Sequence, residues 1–475
     1  MLNLYSSKPL IRQKTVGIVG LIQAGKTVLL TSVIDHLNHH IPSQFHIGKN
    51  GTEICQIRSC ASRFNITTFP YAKFRAELGN AVWPKPSLEI QEYRAIYSRD
   101  DWKWTLTDLS LIDLPGERLA DMTIAGNSHF ANWSDLVLET LRDCPEFSKQ
   151  AEPFLQAVDD AESDPSKGLD EELWMTYYRR ALARLAISFM PFITPSSFML
   201  DPRGKNLEES IVDLKLKFDD RCLIKALVET RYCGLSQNEQ FAPLSPRLRE
   251  VYPELTKRFA RRYADYRKQV VLPIAKVLKG CDELLILVDI AMLLEGGAGM
   301  LNANMKLLEA IIAYVDPGFA PAGKFGNILV KIATLGLAAL RGVRRIVFVA
   351  TKADRVHQVD RSRLESLLRE MASPFVRAKK AVKGLQVEYL VCSAVNSTRS
   401  EPDGQRVLHY KIPNGPDVRE WTTTKESVSE VPETWPDHFD GLDYAFPRPK
   451  PWMPTTRVKL PEQIGLDRIA EIILS

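Results

Sequence analysis

Lys26, Thr27, Asp113, Lys352 and Asp354 are, by type and order, the residues of this 475-residue chain that could grip a polyphosphate and a purine. Lys26 and Thr27 end the stretch "GLIQAGKT", Gly20 to Thr27, which matches G-x-x-x-x-G-K-[ST]. A β or γ phosphate is an anion that must be stripped of water and bonded again. Backbone N–H groups along Gly20, Gln23, Ala24, Gly25, Lys26 and Thr27 can do this if the loop curls into a concave nest at a helix N-terminus. Gly20 and Gly25 permit the φ angles and the close approach. Lys26 supplies a point charge for the β and γ oxygens. The Thr27 hydroxyl is a ligand for Mg²⁺.

Two further motifs follow in a fixed order. "LSLIDLPGE" is an apolar run ending in Asp113, where a carboxylate can hold the Mg²⁺ shell, usually through water. Asp113-Leu-Pro-Gly116 fits D-x-x-G, in which the Gly116 N–H can meet a γ-phosphate and be released when it leaves, the basis of a switch. "VFVATKADRVH" carries Thr351, Lys352 and Asp354 in the pattern [NT]-K-x-D. Guanine presents a ring N–H beside an exocyclic amine, and one carboxylate can accept from both. Adenine lacks that pair and would leave Asp354 unpaired, so the site is expected to reject it. The Lys352 stem can lie over the ring face, and Thr351 can tie its loop to the phosphate loop. In "CSAV", Ser393 and Ala394 can offer backbone N–H groups to the guanine carbonyl. The expected ligand is GTP or GDP with Mg²⁺.

These residues need strands and helices to place them. Thr15–Val19 reads as a buried strand and Lys26–His39 as a helix, with Leu29, Leu30, Val33, Ile34 and Leu37 spaced three and four apart. "WKWTLTDLSLID" alternates through Trp102, Trp104, Leu106, Leu109 and Leu111, which predicts strands, the second ending at Asp113. Residues 41–100 are weakly periodic. From about Thr123 to Lys279 helical spacing takes over, with Pro273 as a kink in a long helical segment. Strand and helix then alternate through "DELLILVDI", "GMLNANMKLLEAIIAYV", "RRIVFVATKAD", "VDRSRLESLLREMA" and "LQVEYLVCSAV", which predicts a mainly parallel sheet covered on both faces. Residues 397–460 are rich in Pro, Trp, Asp and Gly, expected as loops around a hairpin, and a final amphipathic helix is expected to pack on the sheet.

The bulk properties are those of a soluble, multi-unit globular chain. The net charge of +4 advertises no field for nucleic acid. Seven scattered cysteines form no C-x-x-C pair, which argues against a zinc site or a disulfide framework and for a reducing, cytoplasmic setting; Cys392 reads as a small buried hydrophobe. Phe325–Gly342 is apolar but short of the ~20 residues that span a bilayer, so a helix packed on the sheet is expected.

The order of motifs resembles the YcjX-like P-loop GTPases, bacterial proteins often described as stress-associated. "GLIQAGKT", "WPKPS", "DLPGERLADM", "LILVDIAMLLEGG" and "TKAD" carry the resemblance, which spans nearly the whole chain. It implies a Ras-like nucleotide domain with a large all-helical insertion. The corresponding units are 1–122 with the phosphate loop and switches, 123–279 as the insertion, 280–396 with the guanine-recognition loops, and 397–475 packing on the nucleotide domain. It also implies that Ser87 is the switch hydroxyl that meets Mg²⁺, and peripheral association with a membrane-protein partner. Glu117 stands where Ras-like GTPases often have a glutamine that orients the attacking water. An ionised glutamate cannot donate, so Glu117 acts either as the base that takes the water's proton or not at all, and hydrolysis should be slow. Arg118 is expected in a surface salt bridge. A nucleotide-controlled switch competes with a non-hydrolysing scaffold stabilised by guanine nucleotide and with a phosphotransferase.

Overall fold

Along Glu283–Val288 (β6), Leu284, Ile286 and Val288 turn to one side while Leu285 and Leu287 turn to the other, and every residue is buried. Arg345–Ala350 (β7) repeats the pattern, with Ile346, Phe348 and Ala350 against Val347 and Val349. A period of two with both sets apolar is what a strand covered on both faces requires. The computed structural model describes the chain except residues 1–9, 21–23, 49–50, 86–88, 103–104, 189–191, 200–219, 229–232, 316–342, 378–384, 414–420 and 453–459. Ser87, Gln23 and the apolar segment 325–342 therefore lie outside the described residues.

The strands before β6 are Leu10–Gly20 (β1), Ile54–Ser59 (β2), Thr67–Thr68 (β3), Gln91–Arg99 (β4) and Thr105–Asp113 (β5), and Gln386–Val391 (β8) follows β7. They form one sheet in the order β2-β4-β5-β1-β6-β7-β8, with β3 beside β4. β5, β1, β6, β7 and β8 run parallel, whereas β4 pairs antiparallel with β5 and β2 antiparallel with β4. The fold is thus mixed α/β around a mostly parallel sheet, as expected. The antiparallel edge was not. Of the alternating run Trp102–Leu106, Thr105 and Leu106 belong to β5, whose antiparallel partner is the upstream β4, and residues 103–104 lie outside the described residues.

One face of the sheet carries the helix Lys26–Asn38 and the terminal helix Leu466–Leu474, which share a core with Val16, Ile18, Leu285 and Val347. Lys14 Nζ helps hold the terminal helix by donating to Ile472 O at 2.6 Å and Ser475 O at 2.8 Å, beside Glu283 at 3.0 Å. The other face carries Ile290–Val315, Arg361–Arg377 and the segment between β5 and β6. Among the described residues from Met122 to Lys279 there is no strand. Trp133, Phe147, Phe154, Tyr178, Phe241 and Tyr263 of that stretch belong to the same buried cluster as Ile112, Ile286 and Phe348 of the sheet.

Pro273 sits in the first turn of the helix Leu272–Lys279, immediately after a π-helical turn at Arg267–Val271 that follows the helix Pro253–Tyr266. A proline has no N–H and its ring crowds the preceding turn, and widening that turn relieves both. The C-terminal region holds more than a hairpin: Thr398–Ser400 (β9), Val407–Pro413 (β10) and Trp421–Ser427 (β11) make an antiparallel sheet in the order β11-β10-β9.

Candidate functional site

The C-terminal ends of β1 and β5 are register neighbours, Ile18 opposite Asp113. This brings Gly20 and Lys26 against the turn that follows Asp113. Gly25 adopts φ 79° and ψ 25°, left-handed values that suit glycine, and the helix starts at the next residue, Lys26. Lys26 Nζ donates to Gly20 O at 3.4 Å. Thr27 Oγ1 donates to Asp113 Oδ2 at 3.4 Å, and both residues are buried. Gly116 lies so close that a Cβ there would come within 2.6 Å of Gly20 O and 2.8 Å of Lys26 Nζ. Lys26, Thr27, Asp113 and Gly116 thus converge, up to 90 positions apart in sequence but drawn to one point by a pair of parallel strands.

The electrostatics of that point are unbalanced. Burial raises the Asp113 pKa to about 6, partly offset by Lys26 and raised further by the nearby Glu117. Asp113 Oδ1 and Glu117 Oε2 are buried with no hydrogen-bond partner among the described residues. Orphaned carboxylate oxygens beside a threonine hydroxyl are hard oxygen donors of the kind a small divalent cation takes. Thr27 and Asp113 could hold Mg²⁺ here.

The second half of the site is built at the ends of β7 and β8. Lys352 takes left-handed backbone angles, φ 56° and ψ 39°, and Asp354 is buried within the 3₁₀ turn that follows. Ser393 Oγ donates to Asp354 Oδ1 at 2.6 Å, and the Ser397 N–H donates to Oδ2 at 3.2 Å. Burial pushes the Asp354 carboxyl pKa up, against these two hydrogen bonds. The halves meet at Gly25: the Lys352 Cε stands 3.8 Å from where a Gly25 Cβ would be. They meet again where Ser32 Oγ, on the helix after the glycine turn, donates to Ala394 O at 2.7 Å.

Several expected roles change. Thr351 does not tie its loop to the glycine turn, because its N–H and hydroxyl both donate to Val288 O, at 2.9 Å and 3.3 Å. The Ser393 N–H is taken by Ile464 O at 2.8 Å and so is not free to meet a base; Ser393 holds Asp354 through its hydroxyl instead. Arg118 makes no surface salt bridge. It is buried, with Nη1 3.3 Å from both Ser196 Oγ and Ser197 Oγ. Beside it the buried Asp121 accepts from Ser196 N at 2.9 Å, Ser196 Oγ at 2.6 Å and Tyr266 OH at 2.8 Å. Cys392 is buried, as expected.

Sequence reasoning passed over Asp289, which follows β6 and lies 2.9 Å from Lys352 Nζ and 3.2 Å from Arg355 Nη1. The only signal was an aspartate closing an apolar strand. Among the described residues no group of histidine, cysteine, aspartate and glutamate forms a metal cluster, and no helix is long and apolar enough to cross a membrane. No curated protein matches the chain. The model of one family does match, over residues 15–209 and 237–475, nearly the whole length and including every residue of the site just described. The chain therefore belongs to the YcjX-like family, DUF463.

Proposed function

We propose that this protein binds GTP and GDP with Mg²⁺, hydrolyses GTP slowly, and acts as a nucleotide-controlled switch. The observation that carries the reading is the nearness of Gly25 to the Lys352 stem, whose Cε would stand 3.8 Å from a Cβ at Gly25; it supports one mononucleotide reaching from Lys26 to Asp354. The strand order β4-β5-β1-β6-β7-β8, with only β4 of these reversed, is compatible with a Ras-like nucleotide domain. The loop would cradle the phosphates at the N-terminus of Lys26–Asn38, with Lys26 on the β and γ oxygens. Thr27 and Asp113 would hold Mg²⁺, which supplies charge neutralisation at the phosphates. Asp354, held by Ser393, would accept from the guanine ring N–H and amine, and Ala394 would donate to the guanine carbonyl.

Glu117, one of whose carboxylate oxygens is buried without a partner among the described residues, would receive a proton from an attacking water but could not donate while ionised. Slow turnover follows. The Gly116 N–H would sense the γ-phosphate, and Arg118 and Asp121 join its turn to Ser196, Ser197 and Tyr266 of the helical segment. That segment would act as an insertion that reads the nucleotide state out to a protein partner, which the family resemblance suggests is membrane-associated and stress-related. Single-turnover release of labelled phosphate from GTP tests the reading. Slow release that requires Mg²⁺ and vanishes in Lys26→Ala is expected. Tight GTP binding without release would leave a scaffold, and transfer of the label to an acceptor other than water would make the protein a phosphotransferase.

A further inference from the structure

A buried chain of charges stands directly behind Lys352. Asp289 is 1% exposed, and its Oδ1 accepts from the Met292 N–H at 3.0 Å. Its Oδ2 faces Lys352 Nζ and Arg355 Nη1. Arg355 is itself buried, pairs with Glu295 Oε1 at 2.7 Å, and donates to Pro447 O at 2.9 Å. Burial works against the Asp289 charge, but the two cations outweigh it and keep its pKa below the ordinary carboxylate value. Asp289 is therefore a fixed anion, clamped by an arginine that is clamped in turn.

Lys352 is the mobile member by chemistry. Its side chain is 34% exposed, and a lysine stem has four rotatable bonds. Here both ends are held: the backbone in its left-handed conformation, and Nζ on Asp289. Between them the methylenes pass the Gly25 turn. A side chain ordered before its ligand arrives does not have to be ordered by it, and affinity rises accordingly.

We propose that Asp289 is a positioning residue for the base: by pinning Lys352 Nζ it holds the lysine stem as a preformed apolar wall of the purine slot, and so sets guanine-nucleotide affinity. This rests on the guanine reading above. The pin belongs to the base half of the site, so it should leave phosphate binding alone.

Titration calorimetry of the full chain with Mg–GDP, Mg–ADP and the base-free Mg–tripolyphosphate tests it. Lys352→Met keeps the stem and removes the pinned charge. It is expected to lose about tenfold or more in GDP affinity, most of what Lys352→Ala loses, with tripolyphosphate binding unchanged. Asp289→Asn should show the same selective loss, and the double variant Asp289→Asn with Lys352→Met should be no weaker than the weaker single. Merely structural damage would lower tripolyphosphate binding as well, which overturns the proposal. So does Lys352→Met binding GDP like the wild type, or a double variant in which the two losses multiply. Lys352 is partly exposed, so its variants decide the matter even where Asp289→Asn fails to fold. Wild-type protein that binds ADP as tightly as GDP would instead overturn the guanine reading, and this inference with it.

Discussion

Asp354→Asn is the substitution whose consequences the structure lets us work through atom by atom. The carboxylate accepts from Ser393 Oγ on one oxygen and from the Ser397 N–H on the other. An asparagine can keep its carbonyl on the Ser397 N–H and turn its amide toward Ser393. The Ser393 hydroxyl already has a second acceptor, Val395 O at 3.0 Å, so it can give its hydrogen there and accept from the amide. No buried polar group is orphaned, and the fold should survive with a small stability change. The effect on a guanine is different. One accepting oxygen becomes a donor, set against the ring N–H or the exocyclic amine, and the remaining bond loses its charge assistance.

Charge-assisted hydrogen bonds contribute about 1.5–3 kcal/mol each, so two amount to about 3–6 kcal/mol. That is a loss of about 10²–10⁴ in affinity. Thermal shift reads it directly. At a ligand concentration of about 100 times Kd the wild type gains about 2.7 kcal/mol, and a hundredfold loss cuts this to about 0.4 kcal/mol. Xanthine carries a carbonyl where guanine has its amine, so xanthosine diphosphate should stabilise the variant in its place. Equal stabilisation of wild type by ATP and GTP, or a folded variant that still prefers guanine, would refute the reasoning.

Three further outcomes follow from the phosphate half of the site. Asp113 has a folded-state pKa of about 6, above its unfolded value, so its contribution favours the fold at pH below about 4 and is lost as pH rises through about 6; denaturant midpoints of the ligand-free protein should show this slope and Asp113→Asn should lack it. Mg²⁺ needs the ionised form, so Mg²⁺-dependent nucleotide affinity, followed by calorimetry, should fall as pH drops below about 6. In Gly116→Ala the new Cβ meets a backbone oxygen, Gly20 O, at 2.6 Å, which cannot yield as a side chain does. The turn should shift at a cost of about 1–3 kcal/mol, and the variant should stay folded but lose any preference for GTP over GDP in thermal shift.

The parts of this site that could be read from sequence are those whose function fixes local spacing. Gly25 must take left-handed angles one residue before a helix, and Lys26 and Thr27 must start that helix. The strand ends at Asp113 and Ala350 were visible because β7 is apolar on both faces and β5 carries Leu109 and Leu111 in alternation up to Asp113. β4 was hidden because its buried Glu92 breaks the apolar pattern. That carboxylate is satisfied by Ser62 Oγ at 2.5 Å, the Arg63 N–H at 2.8 Å and Ser110 Oγ, all distant in sequence. Arg118 was misjudged for the same reason: a charge predicts exposure unless its partners are known, and Ser196 and Ser197 lie 78 and 79 residues on. Asp289 carried no pattern at all, since its partners Lys352 and Arg355 come from another strand end.

The route by which a change at Gly116 would reach the helical segment is set by packing. Leu114 and Leu119, on either side of Gly116, belong to the same continuous core as Trp133, Phe241 and Tyr263. A close-packed core does not deform smoothly; it moves between discrete arrangements. A ligand that displaces Gly116 from Gly20 O must also move Arg118 and Asp121, which are fixed to Ser196, Ser197 and Tyr266 by buried hydrogen bonds. Tyr266 ends the helix Pro253–Tyr266 and abuts the π-helical turn Arg267–Val271, where one residue more than an α-turn needs is accommodated. Such a turn can take up a register change that a regular helix resists. The displacement is therefore expected to emerge along Pro253–Tyr266, whose Lys257 and Arg261 face solvent, and not at the edge of the sheet.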